Sequence, residues 1–161
     1  MTDTRLTPSR LWKTMTPDQR QRAARAFWSD KDARDDQVQA ALLIAQQKKF
    51  RPKTIVSLEL DRKARHLASL ASLPDPLAAR ALIVYHLAEQ RGMMAAFLDA
   101  LGIKHDHGLI DEESVKPDGA RVPPAVAKLN AEFPPDDVRL YLKTLLCQDP
   151  ETWGSLEGLV A

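Results

Sequence analysis

The sequence predicts an all-α protein, a compact bundle of about seven helices with one long polar loop. Three observations carry that expectation. Apolar residues recur at three- and four-residue spacing over most of the chain. Helix-start dipeptides stand at Thr7-Pro8, Thr16-Pro17 and Asp75-Pro76. With 161 residues, 44% hydrophobic and 28% charged, the chain is long and apolar enough for one domain, 1–161, with its own core.

Taken in order, Thr7-Pro8 opens a short helix carrying Leu11, Trp12 and Met15. Thr16-Pro17-Asp18-Gln19 is a complete start signal: a Thr cap, Pro at the first helical position, and Gln three residues after the cap. That helix runs to about Ser29 with Ala23, Ala24, Phe27 and Trp28 inward. The next spans about Asp32 to Phe50, with Val38, Ala41, Leu42 and Ala45 as its inward stripe, and Pro52 closes it. A third covers Thr54 to Leu73 on the stripe Leu60, Ala64, Leu67, Ala68 and Ala71.

Asp75-Pro76 begins the most apolar segment, 77–101, whose apolar residues cover nearly the whole circumference and place it at the centre of the fold. The stripe Leu77, Ala81, Val84, Tyr85 and Ala88 gives way after Gly92 to Met93, Met94, Phe97, Leu98 and Leu101 on a different side. Two helices with a turn near Arg91-Gly92 account for that change. Gly102 then ends the second of them, with Ile103 placed to meet Leu98 as in a Schellman stop. From Lys104 to Pro124 no helical period is visible. Within this loop Lys116-Pro117-Asp118-Gly119 has turn chemistry and predicts a small β-ribbon at 115–122. Helices follow at about 124–132, 135–147 and from Pro150.

The formal charge is +1 but unevenly spread: residues 1–66 hold 15 Lys/Arg against 8 Asp/Glu, and residues 67–161 hold 8 against 14. A basic half suits either nucleic acid or the acidic half of the same chain. The single cysteine, Cys147, excludes an intramolecular disulfide framework. No apolar run reaches membrane-spanning length, and the N-terminal stretch has no apolar signal core. A cytoplasmic protein without a membrane partner is the expectation.

Two clusters carry candidate chemistry. His105-Asp106-His107 sets two imidazoles two residues apart, on one side of an extended segment, where they could share a divalent metal with Asp111 as third ligand. Glu112, Glu113 and His86 are the alternatives for that third place. Such a site would activate water for a metal-dependent hydrolase. The His105-Asp106 pair resembles the metal-binding dipeptide of the HD-type phosphohydrolases, a resemblance that would add His86 and Asp149 as ligands. That family carries the pair on a helix, whereas Gly102 takes it outside one here. The second cluster is basic: Arg20, Arg22 and Arg25 on one helix, with Lys48, Lys49, Arg51 and Lys53 around Phe50, a set suited to phosphates. Asp30, Asp32, Asp35 and Asp36 lie between the two groups and dilute their field.

Other signals are of ordinary kinds. His86, in the apolar segment, reads as a core histidine bonded to a neighbour. The stretch 82–103 is similar to one helical hairpin of the TPR type, a single unit where such arrays need about three. No phosphate loop, G-x-S-x-G elbow or H-E-x-x-H is present. The leading functional expectation is therefore a helical module that binds another protein or a second copy of itself, through the loop 104–123 and the adjoining helix ends. The metal-dependent hydrolase and the nucleic-acid binder are the alternatives, and no cofactor beyond that divalent metal is expected.

Overall fold

The computed structural model describes residues 6–110 and 116–160. Among these the protein is all-α, with ten α-helices against the seven or so expected, two short 3-10 turns and one two-stranded ribbon. The chain divides into two compact units: Thr7–Ala88, and Glu89–Ala161 together with Met1–Leu6.

The first unit comprises α1 (Pro8–Thr14), α2 (Pro17–Ser29), α3 (Arg34–Lys48), α4 (Pro52–Val56), α5 (Leu60–Ala68) and α6 (Asp75–Glu89), whose last residue crosses the unit boundary. The Thr16 start is a full capping box: Thr16 accepts from the Gln19 N–H (3.1 Å), and the Thr16 N–H donates to Gln19 Oε1 (3.1 Å). α2 buries Ala23, Ala24, Phe27 and Trp28 as its spacing requires, against Ala64 and Leu67 of α5. The indoles anchor the layers through their polar edges, Trp12 Nε1 donating to Leu70 O (3.1 Å) and Trp28 Nε1 to Lys63 O (3.0 Å).

Two inward faces differ from the periodicity reading. α3 buries Ala40, Ala41, Ile44 and Ala45, while Val38 and Leu42 are 54% and 46% exposed. A helix with apolar residues on both sides has no moment to set its rotation, so close approach through alanines decides it. The helix expected over 54–73 is also broken. α4 ends at Val56, Glu59 is extended (ψ 153°), and α5 restarts at Leu60. The break lets Ile55 be buried from one short helix and Ala64 and Leu67 from another, leaving Ala71 exposed.

The second unit holds α7 (Arg91–Leu101), strands β1 (His105–Asp106) and β2 (Leu109–Ile110), α8 (Val122–Glu132), α9 (Pro135–Gln148) and α10 (Pro150–Trp153). The expected break in the apolar segment is real but falls at Gln90 (φ −120°, ψ 18°), so Gly92 lies inside α7. Gly102 is left-handed (φ 73°), and the Ile103 N–H donates to Leu98 O (2.9 Å), the Schellman stop read from the sequence. Phe97 gathers the aromatic core, edge-on to Tyr141 (centroids 5.8 Å) and 5.9 Å from Trp153. Burial pushes the Tyr141 phenol well above its ordinary range.

The ribbon is not where it was expected. At 115–122, residue 115 lies outside the described residues; Asp118 makes a turn, accepting from the Ala120 N–H (3.0 Å), and Val122 already starts α8. The antiparallel pair forms at 105–110 instead, with His105 opposite Ile110 and Asp106 opposite Leu109. Its two-residue loop, His107-Gly108, has positive φ at both positions (48° and 92°), as a type I′ hairpin requires. Histidine is among the few non-glycine residues that enter this region readily, which is why an Asn-Gly signal was not needed.

Candidate functional site

The hairpin after α7 holds the histidines of the first cluster. The Gly108 N–H donates to His105 Nδ1 (3.0 Å), which makes Nε2 the protonated nitrogen, and Nε2 donates to Asp99 Oδ1 (2.7 Å). Asp99 belongs to the last turn of α7, so one imidazole ties the hairpin to the helix that precedes it. Gly108 is pressed onto the first turn of the same helix: a Cβ there would stand 2.8 Å from Met94 Cβ. An aspartate–histidine pair of this kind orients a general base only when the second nitrogen faces a reactant. Here that nitrogen faces a backbone amide, and the pair acts as a clasp.

The same geometry bears on metal binding. Both His105 nitrogens are engaged, so neither offers a lone pair. His107 is a turn residue rather than part of an extended strand, so the two imidazoles do not share a face by alternation. Its Nε2 lies 3.7 Å from Asp106 Oδ1 at the surface. Asp111, with Glu112 and Glu113, lies outside the described residues. Among the described residues no three His, Cys, Asp or Glu side chains are grouped to hold a metal. His86 is a core residue: Nδ1 donates to Leu82 O (2.8 Å), and the ring stands edge-on to Tyr85.

The basic residues separate into two groups. Arg20 is consumed locally, donating from Nε to Trp12 O (3.0 Å) and from Nη2 to Lys13 O (2.9 Å) while covering the Trp12 ring. Arg22 meets Asp18 (3.6 Å) and lies over Tyr85, and Arg25 pairs with Asp61. These three arginines hold the unit together. Lys48, Lys49, Arg51 and Lys53 are all exposed, and among the described residues none of them forms an ion pair.

Local chain geometry concentrates that second group. α3 stops with Lys49 in the left-handed region (φ 60°), and the Phe50 N–H donates to Ala45 O (3.0 Å). Arg51 is extended because proline follows it, and Pro52 starts α4. The sharp corner throws Phe50 outward, 46% exposed, with its ring edge-on to His66 of α5 at 5.7 Å. α5 buries Ala64 and Leu67 and turns Arg62 and Arg65 to solvent. His66 registers the resulting field: burial lowers its pKa first, and Lys48, Arg62 and Arg65 lower it further.

The outcome is an open corner with six exposed cations, Lys48, Lys49, Arg51, Lys53, Arg62 and Arg65, around an exposed aromatic ring. Between residues 48 and 66 the only acids are Glu59 and Asp61, and Asp61 is held by Arg25. Sequence reasoning found the first four cations and missed Arg62, Arg65 and His66. Their signal was the basic run Arg62-Lys63-Ala64-Arg65-His66 on a short amphipathic helix, hidden inside an expected longer one. Such a corner can bind phosphates through its cations and stack an unpaired base or ring on Phe50. Comparison with protein-family models, curated proteins and solved structures finds no match to this chain.

Proposed function

We propose that this chain is a nucleic-acid-binding module whose ligand lies single-stranded across the α3–α5 corner. The observation that carries this reading is the gathering around exposed Phe50 of six exposed cations that form no ion pair among the described residues. Lys and Arg side chains there engage the phosphate chain, and Phe50 offers a stacking surface to one base. A single strand suits this corner because a base reaches an aromatic side chain only when it is free of its duplex stack. The lowered pKa of His66, due first to burial and then to Lys48, Arg62 and Arg65, accords with the reading, since bound phosphates would offset those three cations.

The test is fluorescence anisotropy with labelled oligothymidylate, an RNA of mixed sequence and a blunt DNA duplex. Both single strands are expected to bind more tightly than the duplex. The slope of log affinity against log salt should approach about −4 if all six cations meet phosphates, at roughly 0.7 per contact. No binding at low salt would end the proposal, as would an affinity indifferent to salt.

A further inference from the structure

His105 ties the hairpin to α7 through two hydrogen bonds of opposite kind. At Nδ1 the ring accepts from the Gly108 N–H (3.0 Å), and at Nε2 it donates to Asp99 Oδ1 (2.7 Å). Only the neutral imidazole does both, since the imidazolium carries a proton on each nitrogen and accepts at neither. The Asp99 bond survives protonation and becomes an ion pair. The Gly108 bond does not, because two N–H groups would then face each other across the same gap. The His105 side chain is only 13% exposed and Gly108 is buried, so an amide that loses this acceptor is costly to leave in place. What the turn covers is apolar: Gly108 lies against Met94 of α7, which is 7% exposed with the hairpin closed.

We propose that this hairpin is a proton-operated latch: a proton entering from solvent at His105 Nδ1 keeps the ring on Asp99, frees the Gly108 amide and lifts the 107–108 turn from α7, baring Met94. One imidazole serves two partners, and only one of them tolerates the charged ring. The charged groups on the elements packed here are Asp99 and Arg91 of α7, Arg121 ahead of α8, and Lys104, Asp106 and His107 of the hairpin and its approach. Arg91 reaches the turn itself, its Nη1 3.4 Å from His107 O, while Arg121 Nη1 is 3.4 Å from Leu101 O. His107 is the other imidazole, exposed and 3.7 Å from Asp106 Oδ1, and it makes no contact that a proton would break. This inference rests on the hairpin alone, and nucleic-acid binding is not among its premises.

NMR of the full chain, taken downward through the ordinary imidazole range, tests it. The Gly108 amide is expected to lose about tenfold in hydrogen-exchange protection, after correction for the intrinsic pH dependence of exchange. That loss and a shift of the Met94 methyl signal should share the midpoint of the His105 ring titration. In His105→Asn the side-chain oxygen takes the place of Nδ1 as acceptor and does not titrate, so Gly108 protection should no longer vary with pH. His107→Asn, which tolerates the left-handed turn, should keep the wild-type response. Protection that stays constant while His105 titrates overturns the proposal, as does a loss whose midpoint differs from that of the ring. A response that persists in His105→Asn, or vanishes in His107→Asn, overturns it equally. The wild-type midpoints decide the matter without either variant.

Discussion

In the hairpin at 105–110, the two ring nitrogens of His105 are both taken, one by the Gly108 amide and one by Asp99. At the α3–α5 corner His66 touches Phe50 through its ring edge, and the cations around it point away into solvent. The first region has the letters of a metal motif, but it spends both nitrogens of His105 on folding. The second has no motif and keeps its charges available. What separates them is unsatisfied valence, which a side chain has only when the fold leaves it without an internal partner. The same lesson divides the arginines of α2, which brace the first unit, from the lysines at the end of α3.

The sharpest test of that contrast is charge removal at the open corner. Replacing Lys48, Lys49, Arg51 and Lys53 together by Gln should reduce oligonucleotide affinity on the order of 10²-fold at moderate salt. It should also flatten the salt slope by about 3. Arg25→Gln, whose charge is committed to Asp61, should change affinity less than about twofold. Equal effects from both would erase the distinction between braced and open cations.

The closed region answers to stability instead. Gly108→Ala forces a Cβ into a position 2.8 Å from Met94 Cβ at a φ of 92°. It should destabilise the chain by about 2 kcal/mol, read by urea denaturation, with oligonucleotide affinity unchanged. Next in size, Phe50→Ala should cost binding roughly tenfold, within the range of one stacked base, and leave the thermal midpoint nearly unmoved because the ring is half exposed. A large loss of stability there would show Phe50 to be a packing residue.

The smallest expected effect concerns His66. Its folded pKa lies below the ordinary 6.5, through burial first and then through Lys48, Arg62 and Arg65. A depressed histidine favours the fold above that value, and the contribution is lost as pH falls through the folded pKa. Bound phosphates offset the three cations, so the His66 ring followed by NMR should titrate higher with oligonucleotide present than without it. A titration that does not respond would place the phosphates elsewhere.

Much of the local structure was legible. The Thr16 box and the Gly102 stop each depend on a few adjacent residues whose backbone preferences are intrinsic, whereas the change of face in 77–101 was legible from the shift of apolar stripe, with the turn at Gln90 rather than at Arg91-Gly92. Legibility failed where two solutions satisfied the same pattern. On α3 both faces are apolar, so periodicity could not say whether Val38 and Leu42 or the alanines turn inward. Over 54–73 a continuous stripe was compatible with one helix or two, and burial of Ile55 required two.

By itself, then, the sequence determined helix class, caps and stops, because these are governed by interactions within a turn or two of chain. Only the tertiary structure decided which polar groups are consumed. His105 is closed because Gly108 can approach α7, Arg25 because Asp61 of α5 comes to α2, and the Lys48–Lys53 corner stays open because, among the described residues, no carboxylate is brought to it. Those partners lie far along the chain or depend on close backbone approach, and no local spacing encodes either.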